Sequence, residues 1–534
     1  MGSVSPHVTR RGFLKSVGYS GGAGALFATM GALGLAPTEA LAAPPFRAPS
    51  TSDFHLSGRS ARKVVVLGGG IAGLTTAYEL GKAGYDCTIL EARSRTGGRN
   101  FTVRGGTEQT DLDGNTQRAK FSDGIYMNAG PARIAQWMVT LDYCRELGVP
   151  VEVFTNQNAS AYIYNESAGM TPGNAVRYRT AKADVYGYVS ELLAKATDQG
   201  ALDATLTAED KSRLLSFLSS FGSIGSRTNG YAYTGTEHRG FVTDPGAGTE
   251  AGTILGPPPS LSSVFASNVG RYFSFEFGYD QAMLMFQPVG GMDQIPKALT
   301  KAVGERRVEL GAVVTGLTNT DRGVEVTYTQ NGREHRITAD FCVATMPPHL
   351  TAKIPNNLGA DVTAALASFR VTNVGKIGLE YRSRWWETDH KIFGGITETD
   401  MDLQHIWYPS YGHLGQRGLI VGYYNTGSAA NVYSALSHAD REARAVMQGV
   451  KIHGDKYRTE LAHSFSIAWH RTPYLEGGWT SPPYTTPGYQ LLLQPAGRVY
   501  FAGDWLSHSV AWQHGAFVSA RATVSALHQR VMTS

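Results

Sequence analysis

The sequence predicts an α/β fold in three parts: a parallel sheet interrupted along the chain, a second domain with a mixed sheet, and a helical subdomain. Three observations predict it. Residues 64–91 read as strand, glycine turn, helix and strand, and a short apolar strand returns at Val499-Tyr500-Phe501 near the C-terminus. Strand-rich blocks at 307–345 and 375–425 are separated from the first unit by a block of helical periodicity at 175–235. A chain of 534 residues is too long for one core, so several lobes are expected.

The first unit carries the chemistry of dinucleotide binding. Val64–Leu67 ends in Gly68, which permits a tight turn. Gly70 lets the backbone approach a pyrophosphate, and Gly73 lets the helix pack on the strand, with Ala72 between them. The phosphates then meet the helix amino end, where unbonded N–H groups and the dipole favour negative charge. Glu91 closes the second strand, where a carboxylate accepts hydrogen bonds from adenosine ribose hydroxyls. The unit is therefore Rossmann-like and discontinuous, with its closing strand near residue 499.

Gly97-Gly98-Arg99 follows Glu91-Ala92-Arg93 within eight residues. Two glycines allow a close pass over a cofactor, and a guanidinium adds charge-assisted hydrogen bonds. This Glu-Ala…Gly-Gly-Arg pattern resembles the FAD-dependent amine oxidase superfamily, which includes L-amino acid, monoamine and polyamine oxidases. Phe501-Ala502-Gly503-Asp504 resembles its Phe-Ala-Gly-acid element, which implies that Asp504 bonds FAD near the ribityl chain and phosphates. The resemblance also assigns the backbone of Val314 to the adenine.

Four further patches resemble bacterial L-amino acid oxidases over nearly the whole mature length. Gly130-Pro131-Ala132-Arg133 implies that Arg133 pairs with the substrate carboxylate. Tyr424 is the implied hydroxyl donor to the same group, with Tyr423 next to it as the alternative register. Trp469 is implied beside the flavin, and Trp479 in the substrate pocket. Trp512, following Ala511 where many relatives carry Gly, is implied against the isoalloxazine ring. Lys376, in an otherwise apolar strand, is implied to hold a water beside flavin N5; an edge-strand lysine facing solvent is the alternative. His508 and His514 are given no base role.

The resemblance implies oxidative deamination of L-amino acids, with hydride transfer from Cα to FAD N5 and reoxidation by O2, yielding 2-oxo acid, ammonia and hydrogen peroxide. Two alternatives stay open: another flavin amine oxidase or a decarboxylating amino-acid monooxygenase, and a secreted flavoprotein without turnover. Trp479 and the sparse charge point to aromatic or aliphatic substrates. A homodimer is implied, as dimers are common among relatives.

Thr9-Arg10-Arg11-Gly12-Phe13-Leu14-Lys15, an apolar run and Ala40-Leu41-Ala42 read as a twin-arginine signal peptide over 1–42, with no stable membrane anchor. Such a leader predicts export of a folded, flavin-loaded protein to the periplasm or beyond. Its removal takes away three positive residues and one negative, so the net charge of +4 falls to +2, which argues against nucleic acid. The three cysteines show neither a disulfide framework nor metal spacing. The expected FAD-binding domain spans 58–125, 285–345 and 485–534. The substrate-binding domain spans 126–150 and 346–484, and the helical subdomain 151–284.

Overall fold

The structure is a computed structural model and describes residues 53–534. The twin-arginine leader expected at 1–42 lies outside the described residues. One unit comprises residues 175–275 with the segment 167–170, and the rest of the described chain forms the other.

The larger unit is built on a parallel sheet. Lys63–Leu67 pairs with Asp86–Glu91 on one side and Phe341–Ala344 on the other, and Val308–Leu310 and Val499–Phe501 form the edges. Val64 to Leu67 are all buried, as a strand covered on both faces requires. Val65 is in register with Cys342, and Cys342 in turn with Val499, so the closing strand comes from near the chain's end. The helices Ile71–Lys82 and Gln513–Thr533 pack against each other. A three-stranded antiparallel sheet adjoins, its second hairpin closed by Asn331-Gly332 with φ of +51° and +74°, the signature of a two-residue primed turn.

The mixed sheet of this unit runs Leu461–Ala468, Val374–Tyr381, Gly418–Thr426, His405–Trp407, Ile396–Thr399 and Tyr162–Tyr164 in spatial order. All eight residues of Val374–Tyr381 are buried, because the strand is paired on both sides. Lys376 is therefore on an interior strand, not an edge.

The smaller unit holds the long helices Tyr178–Asp198 and Ala208–Gly222, the second opened by a reciprocal capping box between Thr207 and Asp210. Tyr188, Leu218, Tyr233 and Val264 fill its core. A buried Asp184–Arg239 pair at 2.7 Å is completed by the Tyr233 hydroxyl donating to Asp184 at 2.9 Å. The helical region is narrower than the 151–284 expected. Val151–Thr155 pairs with Leu284–Pro288, and Tyr162–Tyr164 joins the mixed sheet, so both flanks belong to the larger unit. Among the described residues no helix is long and apolar enough to cross a membrane.

Candidate functional site

A cavity runs through the larger unit from the glycine turn to the mixed sheet. At its first end, Gly68 has φ +103°, and a Cβ on Gly73 would collide with the Gly68 carbonyl oxygen, so only glycine fits that packing. A Cβ on Gly70 would meet nothing within 4 Å, and Gly70 and Ala72 line the cavity. The helix Ile71–Lys82 starts there without a side-chain cap or an acidic residue in its first turn. Its first N–H groups are thus available to an anion.

Glu91 is buried, and burial pushes its carboxyl pKa up. The Gly69 N–H donates to Oε2 at 2.7 Å and the Arg93 N–H to Oε1 at 2.8 Å. Each oxygen keeps a second lone pair for a ribose hydroxyl. Arg93 also donates to Gln109 at 2.6 Å, and Ala92 keeps partial exposure. The N–H groups of Gly311 and Ala312 donate to Arg93 and Glu91 carbonyls at 3.0 and 2.9 Å, which brings the strand carrying Val314 alongside. The Val314 side chain itself packs on the sheet's core and does not line the cavity.

The middle of the cavity is held by one network. Arg99 donates to the Gly478 carbonyl at 2.7 Å and pairs with Asp504. Asp504 also accepts from the Ala511 N–H at 3.0 Å. Gly98, Gly130, Pro131 and Gly503 line the same stretch. A Cβ on Gly130 would strike the Arg99 carbonyl oxygen, so this glycine is what lets the two motifs, distant in sequence, lie together. Ala132 is buried beside them.

At the far end, Lys376 Nζ donates to the Gly130 carbonyl at 2.5 Å and lies 4.6 Å from the Tyr424 ring and 5.0 Å from that of Trp407. Burial, and then Arg133, push its pKa down to about 7. Tyr424 stands directly opposite Lys376 across the strand pair. Tyr423 points to the other face of the sheet, 4.3 Å from the Tyr433 ring. Tyr424 is on the cavity side and Tyr423 is not.

The Arg133 guanidinium lies 4.5 Å from the Trp407 ring and 5.9 Å from that of Trp512. Its Nε and Nη1 are closed off from solvent. Burial lowers its pKa to about 10, against the opposing effects of Tyr424, Glu398 and Asp280. It does not itself line the cavity but stands beside Tyr424 and Trp512, which do. Trp469 and Trp479 complete this end, with Trp469 Nε1 donating to the Ala129 carbonyl at 3.0 Å. Ala511 lines it in a left-handed conformation, φ +67°.

The two histidines lie off the cavity. His508 stacks on Tyr484 at 4.3 Å. His514 accepts from the Val139 N–H at 3.1 Å, and burial pushes its pKa down to about 4. Sequence reasoning missed Trp407, Asp280 and the Glu398–His405 pair at 2.7 Å. The only local signal was the alternation in His405-Ile406-Trp407, which reads equally well as core.

The chain is similar to known proteins over most of its length. A family model for flavin containing amine oxidoreductases matches residues 71–528. The chain is 26% identical over 469 residues to the L-amino acid oxidase bordonein-L of Crotalus durissus terrificus, covering 84% of each. It is 26% identical over 468 residues to an L-amino-acid oxidase of Bothrops pauloensis, covering 84% of this chain and 86% of that one. Cyclohexylamine oxidase from Brevibacterium oxydans IH-35A superposes with a TM-score of 0.58 at 17% identity, over 89% of this chain and 100% of the other. Putrescine oxidase bound to putrescine gives a TM-score of 0.56 at 18% identity, over 89% and 99%. At those identities the structural likeness concerns the fold.

Proposed function

The chain belongs to the family of flavin containing amine oxidoreductases, and from that premise we propose that it is an FAD-dependent L-amino-acid oxidase. The observation that carries this reading is the placement of Arg133 beside Tyr424 at the Lys376 end of the cavity. A planar cation enclosed with a hydroxyl donor suits a carboxylate, which simple amine substrates lack. FAD, with its adenosine and pyrophosphate, is favoured by Glu91 and by the open helix start behind Gly70.

Bound FAD would supply the two-electron acceptor for the substrate Cα–H and pass the electrons to O2, giving hydrogen peroxide and an imino acid that water hydrolyses to a 2-oxo acid and ammonia. The protein supplies grip, orientation and exclusion of water. Arg133 and the Tyr424 hydroxyl hold the α-carboxylate. Trp479 and Trp512 flank the amine. Arg133 places positive charge near it, which favours the neutral amine that oxidation requires. Lys376 Nζ, anchored on the Gly130 carbonyl, holds a water at this end of the cavity. Gly68, Gly70, Ala72, Gly73, Glu91, Ala92 and Arg93 cradle the adenosine and phosphates. Arg99 and Asp504, set by Gly98, Gly130, Pro131, Ala132 and Gly503, address the middle of the cofactor. Trp469 and Ala511 would bound the flavin ring, and the backbone near Val314 would meet the adenine.

We further propose export by the twin-arginine route after flavin loading, and assembly as a homodimer. The test of the activity is product analysis with a panel of L-amino acids. Equimolar 2-oxo acid and hydrogen peroxide are expected; a decarboxylated amide, or no peroxide from any L-amino acid, would refute the reading.

A further inference from the structure

The rim of the site next to Trp512 carries a carboxylate that the amino acid's α-carboxylate and amine do not use. Asp280 Oδ2 accepts from Trp512 Nε1 at 2.8 Å. The second carboxylate oxygen is left over, and Asp280 forms no ion pair among the described residues. Its charge acts on Arg133 through space, and its second oxygen, only partly enclosed, stays open to a further cationic partner.

A second group points to the same need. Asn156 is wholly buried, and among the described residues its Oδ1 has no hydrogen-bond partner, which costs free energy unless a donor is supplied. Asn156 is tied to the Asp280 loop. Its backbone N–H donates to the Met283 carbonyl at 2.9 Å, and its Nδ2 donates to Gln281 Oε1 at 3.2 Å. The strand Val151–Thr155 just before it reaches the carboxylate end of the site, because Phe154 packs edge-on against Trp407 at 6.1 Å, and Trp407 underlies Arg133. Arg133 and Asp280 thus bracket the Trp512 ring, one near its face and the other at its indole nitrogen.

We propose that Asp280, on the loop that Asn156 anchors through Gln281 and Met283, forms a side-chain subsite for a cationic group, so that the preferred substrates are L-amino acids with a terminal ammonium or guanidinium. The inference rests on the oxidase reading and narrows it. It also replaces the aromatic or aliphatic preference suggested by Trp479: the indoles line the path of the side chain, and the carboxylate reads its end. A cation there satisfies Asp280 and donates to acceptors nearby, whereas an acidic side chain meets like charge.

The test compares L-lysine with L-norleucine, which differ by the terminal amine, and with Nε-acetyl-L-lysine, which keeps the length and loses the charge. With the wild-type holoenzyme, kcat/KM for L-lysine is expected to exceed that for either neutral analogue by roughly 10- to 100-fold, the range of one charge-assisted hydrogen bond. Asp280→Asn keeps an acceptor for Trp512 Nε1, so it isolates the charge; the ratio should fall to within about 3-fold of unity. Anaerobic stopped-flow flavin reduction at varied concentration gives an apparent Kd for each amino acid, and where the flavin is not reduced the perturbation of its spectrum gives the Kd directly. A wild-type ratio at or below one, or a ratio unmoved in Asp280→Asn, overturns the inference. Absence of turnover with every L-amino acid, alongside selective L-lysine binding lost in Asp280→Asn, would overturn the oxidase reading and leave the subsite standing.

Discussion

Replacing Arg133 with methionine keeps much of the side chain's apolar volume and removes its cation. Arg133 is enclosed enough that burial lowers its pKa to about 10. A carboxylate bound there loses both its charge partner and its hydrogen bonds in the variant. Removing one member of such a buried pair costs about 3–5 kcal/mol, which corresponds to roughly 150- to 5,000-fold in kcat/KM. The loss applies only to substrates with the carboxylate. The decarboxylated amine never used the guanidinium, and for it the variant removes a repulsive charge. The assay is anaerobic stopped-flow flavin reduction with each L-amino acid and its corresponding amine. A buried cation opposes folding, so Arg133→Met is expected to keep or raise the melting temperature, which separates lost recognition from lost structure. Equal losses for the acid and the amine, or unchanged turnover of the acid, would refute the reasoning.

Further expectations concern the other groups at the site. Lys376 has a folded pKa near 7 against an ordinary value of 10.5. The unfolded chain therefore binds the extra proton between these values, and stability should rise with pH across that window, by at most about 1.4 kcal/mol per pH unit. In Lys376→Met this component should vanish, as urea titrations at pH 7 and pH 9 would reveal; identical pH slopes would count against a buried lysine. Tyr424→Phe should raise KM for amino acids about 5- to 15-fold through loss of one hydrogen bond, while Tyr423→Phe, on the opposite face of its strand, should leave KM unchanged; the reverse result would reassign the register. Glu91→Gln should weaken FAD binding by roughly 10- to 100-fold, measured by equilibrium dialysis of deflavinated protein. Gly73→Ala should give colourless or insoluble protein, because its Cβ has no room against the Gly68 carbonyl.

What the sequence makes legible is local, or carried by steric necessity. The parallel sheet could be read because Val64–Leu67 is apolar on both faces and the glycines after it serve a turn that few other residues tolerate. The closing strand could be read because Val499–Phe501 ends in the same Gly-acid pattern. The Asn331-Gly332 turn follows from its φ requirement alone. The burial of Lys376 could not be decided in the same way, since a lysine in an apolar strand fits an edge as well as an interior position until its neighbours are known. The flanks of the helical unit were misplaced because strands as short as Tyr162–Tyr164 carry no period of their own and are defined by their partner at 396–399. Asp280 was invisible for a related reason: its contact with Trp512 spans 232 residues and leaves no local mark.

The claim at the centre of this account is that a flavin lies in the cavity with an amino acid's carboxylate gripped at its reactive end. Anaerobic addition of an L-amino acid to the purified yellow protein tests it most directly. The account predicts bleaching of the flavin absorbance by the L-amino acid, with one equivalent of 2-oxo acid per flavin and full recovery of colour on admitting air. Colourless protein that takes up no added FAD, or a loaded protein whose spectrum is unmoved by every L-amino acid, would contradict it.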